Sequence, residues 1–77
     1  MGPEQAFGIV LKYYRKKLSV SQEELAHSCN LDRTFISLLE RGQRRPTINT
    51  IFTLSKSLHI KASVLVQEVE RILDEDS

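Results

Sequence analysis

Two neighbouring segments in the middle of the chain carry side chains suited to nucleic-acid recognition. Residues 33–38 (RTFISL) supply one guanidinium and two hydroxyl groups, and residues 41–45 (RGQRR) add three guanidinium groups and an amide. A guanidinium pairs with phosphates and, through its fork of N–H donors, with the O6 and N7 atoms of guanine. The chemistry expected here is therefore hydrogen bonding to DNA phosphates and base edges.

The sequence offers no comparable set of groups for catalysis. It contains no nucleophile–base set, no metal-ligand cluster and no Gly-rich phosphate loop. His27 and His59 have no further ligands at useful spacing, so neither predicts a metal site. We therefore expect a binding protein that is not an enzyme and that needs no cofactor, metal or small-molecule ligand.

The first element needed to position the polar groups is a short helix that precedes them. Ser21 is a suitable N-cap, and Glu24 three residues later completes a capping box, so a helix should run from Gln22 to about Ser28. Asn30 tolerates the left-handed backbone conformation that a sharp turn after this helix requires.

A second short helix should follow the turn. Asp32 is its predicted N-cap, Ile36 and Leu39 fall on its inward side, and Gly42 lies just past its end. Two helices joined by a turn of about three or four residues form the outline of a helix-turn-helix, whose second helix reads DNA. The outward side chains of residues 33–38 would then face the major groove.

The spacing of apolar residues predicts three further helices around this unit. They cover residues 4–17 (after Pro3), 48–58 (after the cap Thr47) and 62–73. The sequence therefore predicts an all-α single domain over residues 1–77, with residues 74–77 as a disordered tail.

The last two predicted helices differ in how many apolar residues they must cover. The inward face of the fourth helix is expected to consist of Ile48, Ile51, Leu54, Ser55 and Leu58. The fifth helix carries more apolar residues than one side of a small domain can cover, which indicates self-association across a two-fold axis. The residues expected at this dimer interface are Val66, Val69, Ile72 and Leu73.

Length and composition set further limits. Seventy-seven residues allow one domain, too small to include a separate ligand-binding half. The net charge is only +1, but the chain has eight Lys and Arg against five Asp and Glu up to Thr47, and three against five after it. Cys29 is the single cysteine, and no apolar run approaches the ~20 residues of a membrane span. These features lead us to expect a cytoplasmic protein without membrane contact.

The same residues carry a resemblance to a known family. The segments SQEELA and RTFISLLERG, with the basic-Pro segment after them, resemble the helix-turn-helix of the lambda-repressor and Cro-like (XRE-type) family. The segment LDRTFIS, followed by ERG, is most similar to the corresponding segment of controller proteins of restriction–modification systems. The resemblance extends from Phe7 to Leu58. It implies a compact five-helix lambda-repressor-like domain that binds a pseudo-palindromic operator as a homodimer.

The resemblance also implies the regulatory role. A controller protein would act on its own promoter, as an activator at low occupancy and a repressor at high occupancy, with RNA polymerase as a further candidate partner. Its location would be the bacterial or phage-infected cytoplasm, in association with the nucleoid. Two alternatives remain open: a phage-type or chromosomal repressor, and an antitoxin or protein-interaction module whose fifth helix docks a partner.

Roles for individual residues follow from the helix-turn-helix arrangement and the resemblance together. The candidates for base reading are Arg33, Thr34, Ser37, Leu38 and Phe35, with Arg33 as the expected guanine contact and Phe35 equally suited to packing. The candidates for phosphate binding are Gln22, Arg41, Gln43, Arg44 and Arg45. Arg15 and Glu40 match a family pair that forms a partly buried ion pair between the first and third helices.

Three positions correspond to places where the family has glycine. Gly8 matches a family glycine, which implies a close helix contact at that point of the first helix. Ser19 and His59 stand where the family often has glycine. We expect Ser19 to leave the end of the first helix less sharply defined, and His59 to interact favourably with the negative end of the fourth helix.

Overall fold

The computed structural model describes residues 1–76. Five α-helices follow one another along the chain: α1 (Pro3–Lys17), α2 (Gln22–Cys29), α3 (Arg33–Glu40), α4 (Ile48–Ser57) and α5 (Ala62–Asp76). The predicted all-α, five-helix architecture is confirmed. Within residues 1–76, none of the helices combines the length and apolar character needed to cross a membrane.

The core is built from one or two large apolar side chains of every helix. The fully buried ones are Leu11, Leu25, Ile36, Leu39, Leu54 and Leu65. Burying each of them contributes about 1.5–3 kcal/mol relative to exposure, so no helix can be removed without uncovering part of the same cluster. The helix-turn-helix formed by α2 and α3 thus packs against α1 and α4, and α5 packs against those two helices in turn.

One residue of the predicted core is on the surface. Ile48 is 62% exposed, whereas Leu54, Ser55 and Leu58 of the same helix are buried. Ile48 is the first residue of α4, so it precedes the part of α4 that packs against other helices. The periodic pattern was correct for the middle of the helix and wrong for its first turn.

The start of α2 and the turn after it match the sequence prediction. The Glu24 N–H donates to the Ser21 Oγ atom at 3.0 Å, and the Ser21 N–H donates to the Glu24 Oε1 atom at 2.8 Å. The Ser21 backbone N–H, followed by the Ser21 hydroxyl, lowers the pKa of the Glu24 carboxyl. Asn30 adopts the expected left-handed conformation, with φ of 55°. Asp32 occupies the N-cap position of α3, but its side chain makes no capping hydrogen bond there.

Two other residues adopt the same left-handed conformation where the helices end. Ser19 has φ of 61° and His59 has φ of 58°. The Val20 N–H donates to the Arg15 carbonyl, and the Ile60 N–H donates to the Ser55 carbonyl, which closes both helix ends in the manner of a Schellman motif. The expectation of a poorly defined end for α1 was therefore wrong. A non-glycine residue forms the turn at a conformational cost of about 1–2 kcal/mol.

The last helix is longer than predicted. It continues to Asp76, three residues beyond Leu73. The Arg71 guanidinium lies 2.9 Å from carboxylate oxygens of Glu68 and Glu75, one turn away in each direction. Such pairs favour the helical conformation. Residues 74–76 of the expected disordered tail are therefore helical, and Ser77 lies outside the described residues.

The crossing of α1 and α3 depends on Gly8. A Cβ atom at this position would lie 2.5 Å from the Leu39 carbonyl oxygen and 2.6 Å from the Glu40 carbonyl oxygen. These are backbone atoms, so no side-chain movement relieves the overlap. The absence of a side chain at Gly8 sets how closely α1 approaches the end of α3.

We predict that Gly8→Ala destabilises the protein by about 1–3 kcal/mol, because the new methyl group forces α1 and α3 apart. Helix propensity alone predicts that the same substitution increases the free energy of unfolding by about 1 kcal/mol. Urea unfolding followed by circular dichroism measures the difference. Lys12→Ala replaces an exposed residue of the same helix, and the free energy of unfolding of this variant should stay within about 0.5 kcal/mol of that of the parent protein. A Gly8→Ala protein more stable than its parent would contradict the packing argument.

Candidate nucleic-acid interface

The outward face of α3 presents most of the side chains predicted to read bases. Arg33 and Thr34 are exposed in its first turn, and Ser37 and Leu38, each one turn later, are half-buried. Within residues 1–76, Arg33 makes no ion pair or hydrogen bond through its side chain. The guanidinium of Arg33 is therefore free to bind a ligand.

Phe35 differs from the other candidates on this helix. Its side chain is half-buried and packs against the core cluster that includes Ile36 and Leu39. Of the two uses considered for Phe35, the geometry favours packing. The outward face of α3 is therefore formed by Arg33, Thr34, Ser37 and Leu38.

Beside α3, the first turn of α2 forms one side of the candidate interface. Gln22 is the first residue of α2, and its Nε2 atom donates to the Glu40 Oε1 atom at 3.0 Å. One amide N–H of Gln22 is thereby engaged, and the other remains available. The backbone N–H groups of a first helical turn have no carbonyl partners within the helix, so they are additional donors for an anion.

Glu40 holds Gln22 in place because it is itself fixed by Arg15. The Arg15 Nε atom donates to Glu40 Oε2 at 2.6 Å, and Arg15 Nη2 donates to Glu40 Oε1 at 3.1 Å. Arg15 Nη1 also donates to the Val20 carbonyl at 2.9 Å. The side chains of Arg15 and Glu40 are only 9% and 4% exposed. Hydrogen bonding to Glu40 raises the pKa of Arg15. The predicted pair thus joins α1, the α1–α2 turn, α2 and α3.

On the other side of α3 lies the basic loop, residues 41–45. Gly42 has φ of 73°, and the Gln43 N–H donates to the Leu38 carbonyl at 2.9 Å, which turns the chain sharply out of the helix. The Arg41 Nε atom makes a long contact of 3.4 Å to the Ser37 carbonyl. The loop therefore leaves α3 in a defined direction.

The two arginines at the tip of the loop are not equivalent. Arg44 is exposed and has no side-chain partner within the described residues. The Arg45 Nε atom lies 3.5 Å from the Glu4 carboxylate, and Arg45 is 89% exposed. Exposed pairs of this kind contribute little, so a phosphate can replace Glu4 as the partner of Arg45.

A separate apolar surface lies on α4 and α5, and we call Ile48, Phe52 and Val66 the α4–α5 apolar surface. Phe52 is 60% exposed, and Val66 is also exposed. Ile51, on the same side of α4, lines a groove together with Val66 and Val69, which connects the two helices. Val66 was predicted to belong to a contact surface, but Ile48 and Phe52 were not, although their spacing of four residues already places them on one face.

The remaining predicted interface residues divide between two sides of α5. Val69 packs against the core and Leu73 is half-buried. Ile72 instead lies between α5 and α1, in a groove lined by Val10, Tyr13 and Tyr14. Ile72 is thus separated from the α4–α5 apolar surface, and its place in the dimer interface stays a prediction. The separation follows from the helical period, which turns Ile72 towards α1.

Comparison with known proteins identifies the class of molecule. The helix-turn-helix family HTH_3 matches residues 11–65, which include all of α2, α3 and α4. The chain belongs to this helix-turn-helix family of DNA-binding regulators. The regulator is 39% identical over 61 residues to the control protein C.BamHI of Bacillus amyloliquefaciens, covering 78% of this chain and 75% of that protein.

Two further relatives of the regulator point to the same group. The control protein C.MunI of a Mycoplasma species is 38% identical over 66 residues, covering 84% of this chain and 89% of that protein. A solved structure of the restriction–modification controller protein C.Esp1396I, a tetramer in complex with its natural 35 base-pair operator, matches with a TM-score of 0.79. It is 33% identical and covers 90% of this chain and 96% of that chain. The regulator is homologous to restriction–modification controller proteins.

We predict that Arg15→Ala destabilises the regulator by about 3–5 kcal/mol, because it leaves the Glu40 carboxylate buried without its cationic partner. Arg71→Ala is the matched control, since Arg71 also contacts two carboxylate oxygens but does so on the surface. The control should change stability little. Chemical denaturation of the parent and the two variants measures both changes in stability. Equally small losses of stability in the two variants would show that the Arg15–Glu40 pair has no special role.

Proposed function

We propose that this regulator binds a pseudo-palindromic operator as a homodimer and controls its own promoter as a restriction–modification controller protein. The observation that carries the proposal is the free, exposed Arg33 in the first turn of α3, a helix that follows α2 with Gln22 at its start and precedes the basic loop with Arg44. The operator complex of C.Esp1396I supports the same mode of action.

Phosphate contacts on both sides of the groove would set the register of α3. Gln22 would donate its free amide N–H, with the first N–H groups of α2, to one phosphate strand. Arg41, Gln43, Arg44 and Arg45 would contact the other strand. With the helix so placed, Arg33 would bind a guanine through O6 and N7, and Thr34, Ser37 and Leu38 would contact neighbouring base edges or methyl groups.

Self-association would place two copies of α3 in successive major grooves. The α4–α5 apolar surface provides the contact, because three large apolar side chains there are exposed in the single chain. Two-fold symmetry then spaces the recognition helices about 34 Å apart, one turn of DNA, which accounts for an operator with two inverted half-sites.

Activation and repression would both follow from the occupancy of the operator. A first bound dimer beside the promoter could recruit RNA polymerase, and further occupancy could block it. A phage-type or chromosomal repressor would use the same groups on DNA and differ only in its target. An antitoxin or protein-interaction module would not need an unpaired Arg33 and Arg44, so the exposed arginines favour DNA binding. Endonuclease and methyltransferase genes beside the coding gene would support the controller assignment.

We predict that Arg33→Ala and Arg44→Ala weaken DNA binding in different ways. Loss of Arg33 should cost about 1–3 kcal/mol on the operator and relax the preference at one position of each half-site. Loss of Arg44 should weaken binding to operator and scrambled DNA alike and flatten the dependence on salt. Gel-shift titrations on an operator selected from random duplexes separate the two. Sequence-independent losses from both variants would contradict the role given to Arg33.

We predict that Phe52→Asp and Val66→Asp abolish dimer formation, because each buries a carboxylate in an apolar contact. Sedimentation velocity measures the oligomeric state, and operator binding should weaken in parallel. Leu18→Asp is the control, since Leu18 is an exposed apolar residue just after α1, outside the α4–α5 apolar surface, and its change should leave the oligomeric state unchanged. Dimers that survive both changes on α4 and α5 would place the interface elsewhere.

A further inference from the structure

The exposed side of α1 carries a basic patch, formed by Lys12, Tyr13 and Lys16, that none of the roles above uses. Tyr13 is 59% exposed, and both lysines are exposed. Within residues 1–76, neither lysine forms an ion pair or a side-chain hydrogen bond. Two ammonium groups and a phenol hydroxyl are thus available together on one helix face.

The position of this basic patch follows from the packing of α1 on α3. Gly8 contacts the carbonyl groups at the end of α3, and Lys12 and Lys16 follow Gly8 at intervals of one helical turn. A surface groove lined by both lysines and Tyr13 reaches Glu40. Because Glu40 lies 3.0 Å from the Gln22 amide nitrogen, the basic patch borders the proposed phosphate position at the start of α2.

The two ends of α1 face different parts of the candidate interface. Glu4, near its start, contacts Arg45 of the basic loop, and Arg15, near its end, contacts Glu40 beside Gln22. Lys12 and Lys16 belong to the half of α1 nearer Gln22. The basic patch therefore lies on the side of α3 away from the loop, where a duplex bound by Gln22 would continue outwards.

The charge of the basic patch is not cancelled locally. Glu40 is the one acidic side chain that lines its groove among the described residues, and it is already bonded to Arg15 and Gln22. At the far end, the Lys17 ammonium lies 5.9 Å from the centroids of the Tyr13 and Tyr14 rings. The basic patch thus presents a net positive charge beside a phenol hydroxyl.

We propose that Lys12, Lys16 and Tyr13 bind phosphates of the DNA that flanks each half-site, beyond the phosphate held by Gln22. The proposal rests on the function proposed above and extends the bound length of duplex. Phosphodiester oxygens match this set, because two ammonium groups supply donors and positive charge and the hydroxyl can donate one more hydrogen bond. The continuity with Gln22 favours DNA over an acidic protein as the ligand.

Flank length and salt dependence test the proposal. The double variant Lys12→Gln, Lys16→Gln is compared with the parent on two duplexes that contain the selected operator, one cut close to the half-sites and one extended by roughly one helical turn at each end. The parent should bind the longer duplex more tightly. The double variant should lose that advantage, and its salt slope should fall by about 0.9 for each lost phosphate contact.

Two further variants make the result specific. Lys61→Gln removes one positive charge, where the double variant removes two, from an exposed lysine between α4 and α5, and it should keep both the flank advantage and the salt slope. Tyr13→Phe removes only the hydroxyl and should reduce the flank advantage without changing the slope. Thermal melts check that all four proteins remain folded to the same extent.

The outcomes distinguish this proposal from the one on which it rests. A parent protein that binds no duplex specifically contradicts the proposed function itself. A parent that binds its operator while the double variant keeps the flank advantage overturns the role of the basic patch. Equal losses in the double variant and in Lys61→Gln also overturn it, because they indicate a general effect of net charge.

Discussion

The ion pair between Arg15 and Glu40 is the interaction on which the arrangement of the interface depends. It joins two helices that are distant in sequence, it is almost fully removed from solvent, and one of its carboxylate oxygens also receives the Gln22 amide. A buried pair of this kind adds little net stability compared with an apolar contact of the same volume. The pair instead fixes an orientation, because α1, α2 and α3 form all of these hydrogen bonds together in only one relative orientation.

The first helix accordingly does more than cover the core. Its start touches the basic loop through Glu4, its middle fits against the end of α3 at Gly8, and its last turn fixes Gln22 through Arg15 and Glu40. Glu4 and Arg15 are eleven residues apart in the sequence, which corresponds to about 16 Å along a helix. In the proposed complex, α1 would therefore link the two groups of phosphate contacts across a major groove about 12 Å wide.

The sequence predicted the helix-turn-helix and its supports well because their signals are local. A capping box and an asparagine in a turn each leave a mark in a few adjacent residues, and the structure shows both. The close contact at Gly8 was implied by the family resemblance instead, and the structure shows it too. The exposure of Ile48 and Phe52 could not be predicted in this way, since it depends on where neighbouring helices stop. The length of α5 was underestimated because the last few residues of a chain were expected to be disordered, although Arg71 pairs with two of the carboxylates around it.

The close contact at Gly8 has a consequence for how an operator is selected. At Gly8, α1 lies so close to the end of α3 that a Cβ atom there would be within 2.6 Å of backbone carbonyl oxygens, and the buried Arg15–Glu40 pair joins the same two helices. In the proposed mode of binding, the phosphate contacts would therefore have a nearly fixed span, and the duplex would adjust its groove width and bend to meet it. Base steps that deform easily would then be preferred at positions that no side chain touches, so that part of the operator is recognised through the mechanics of DNA.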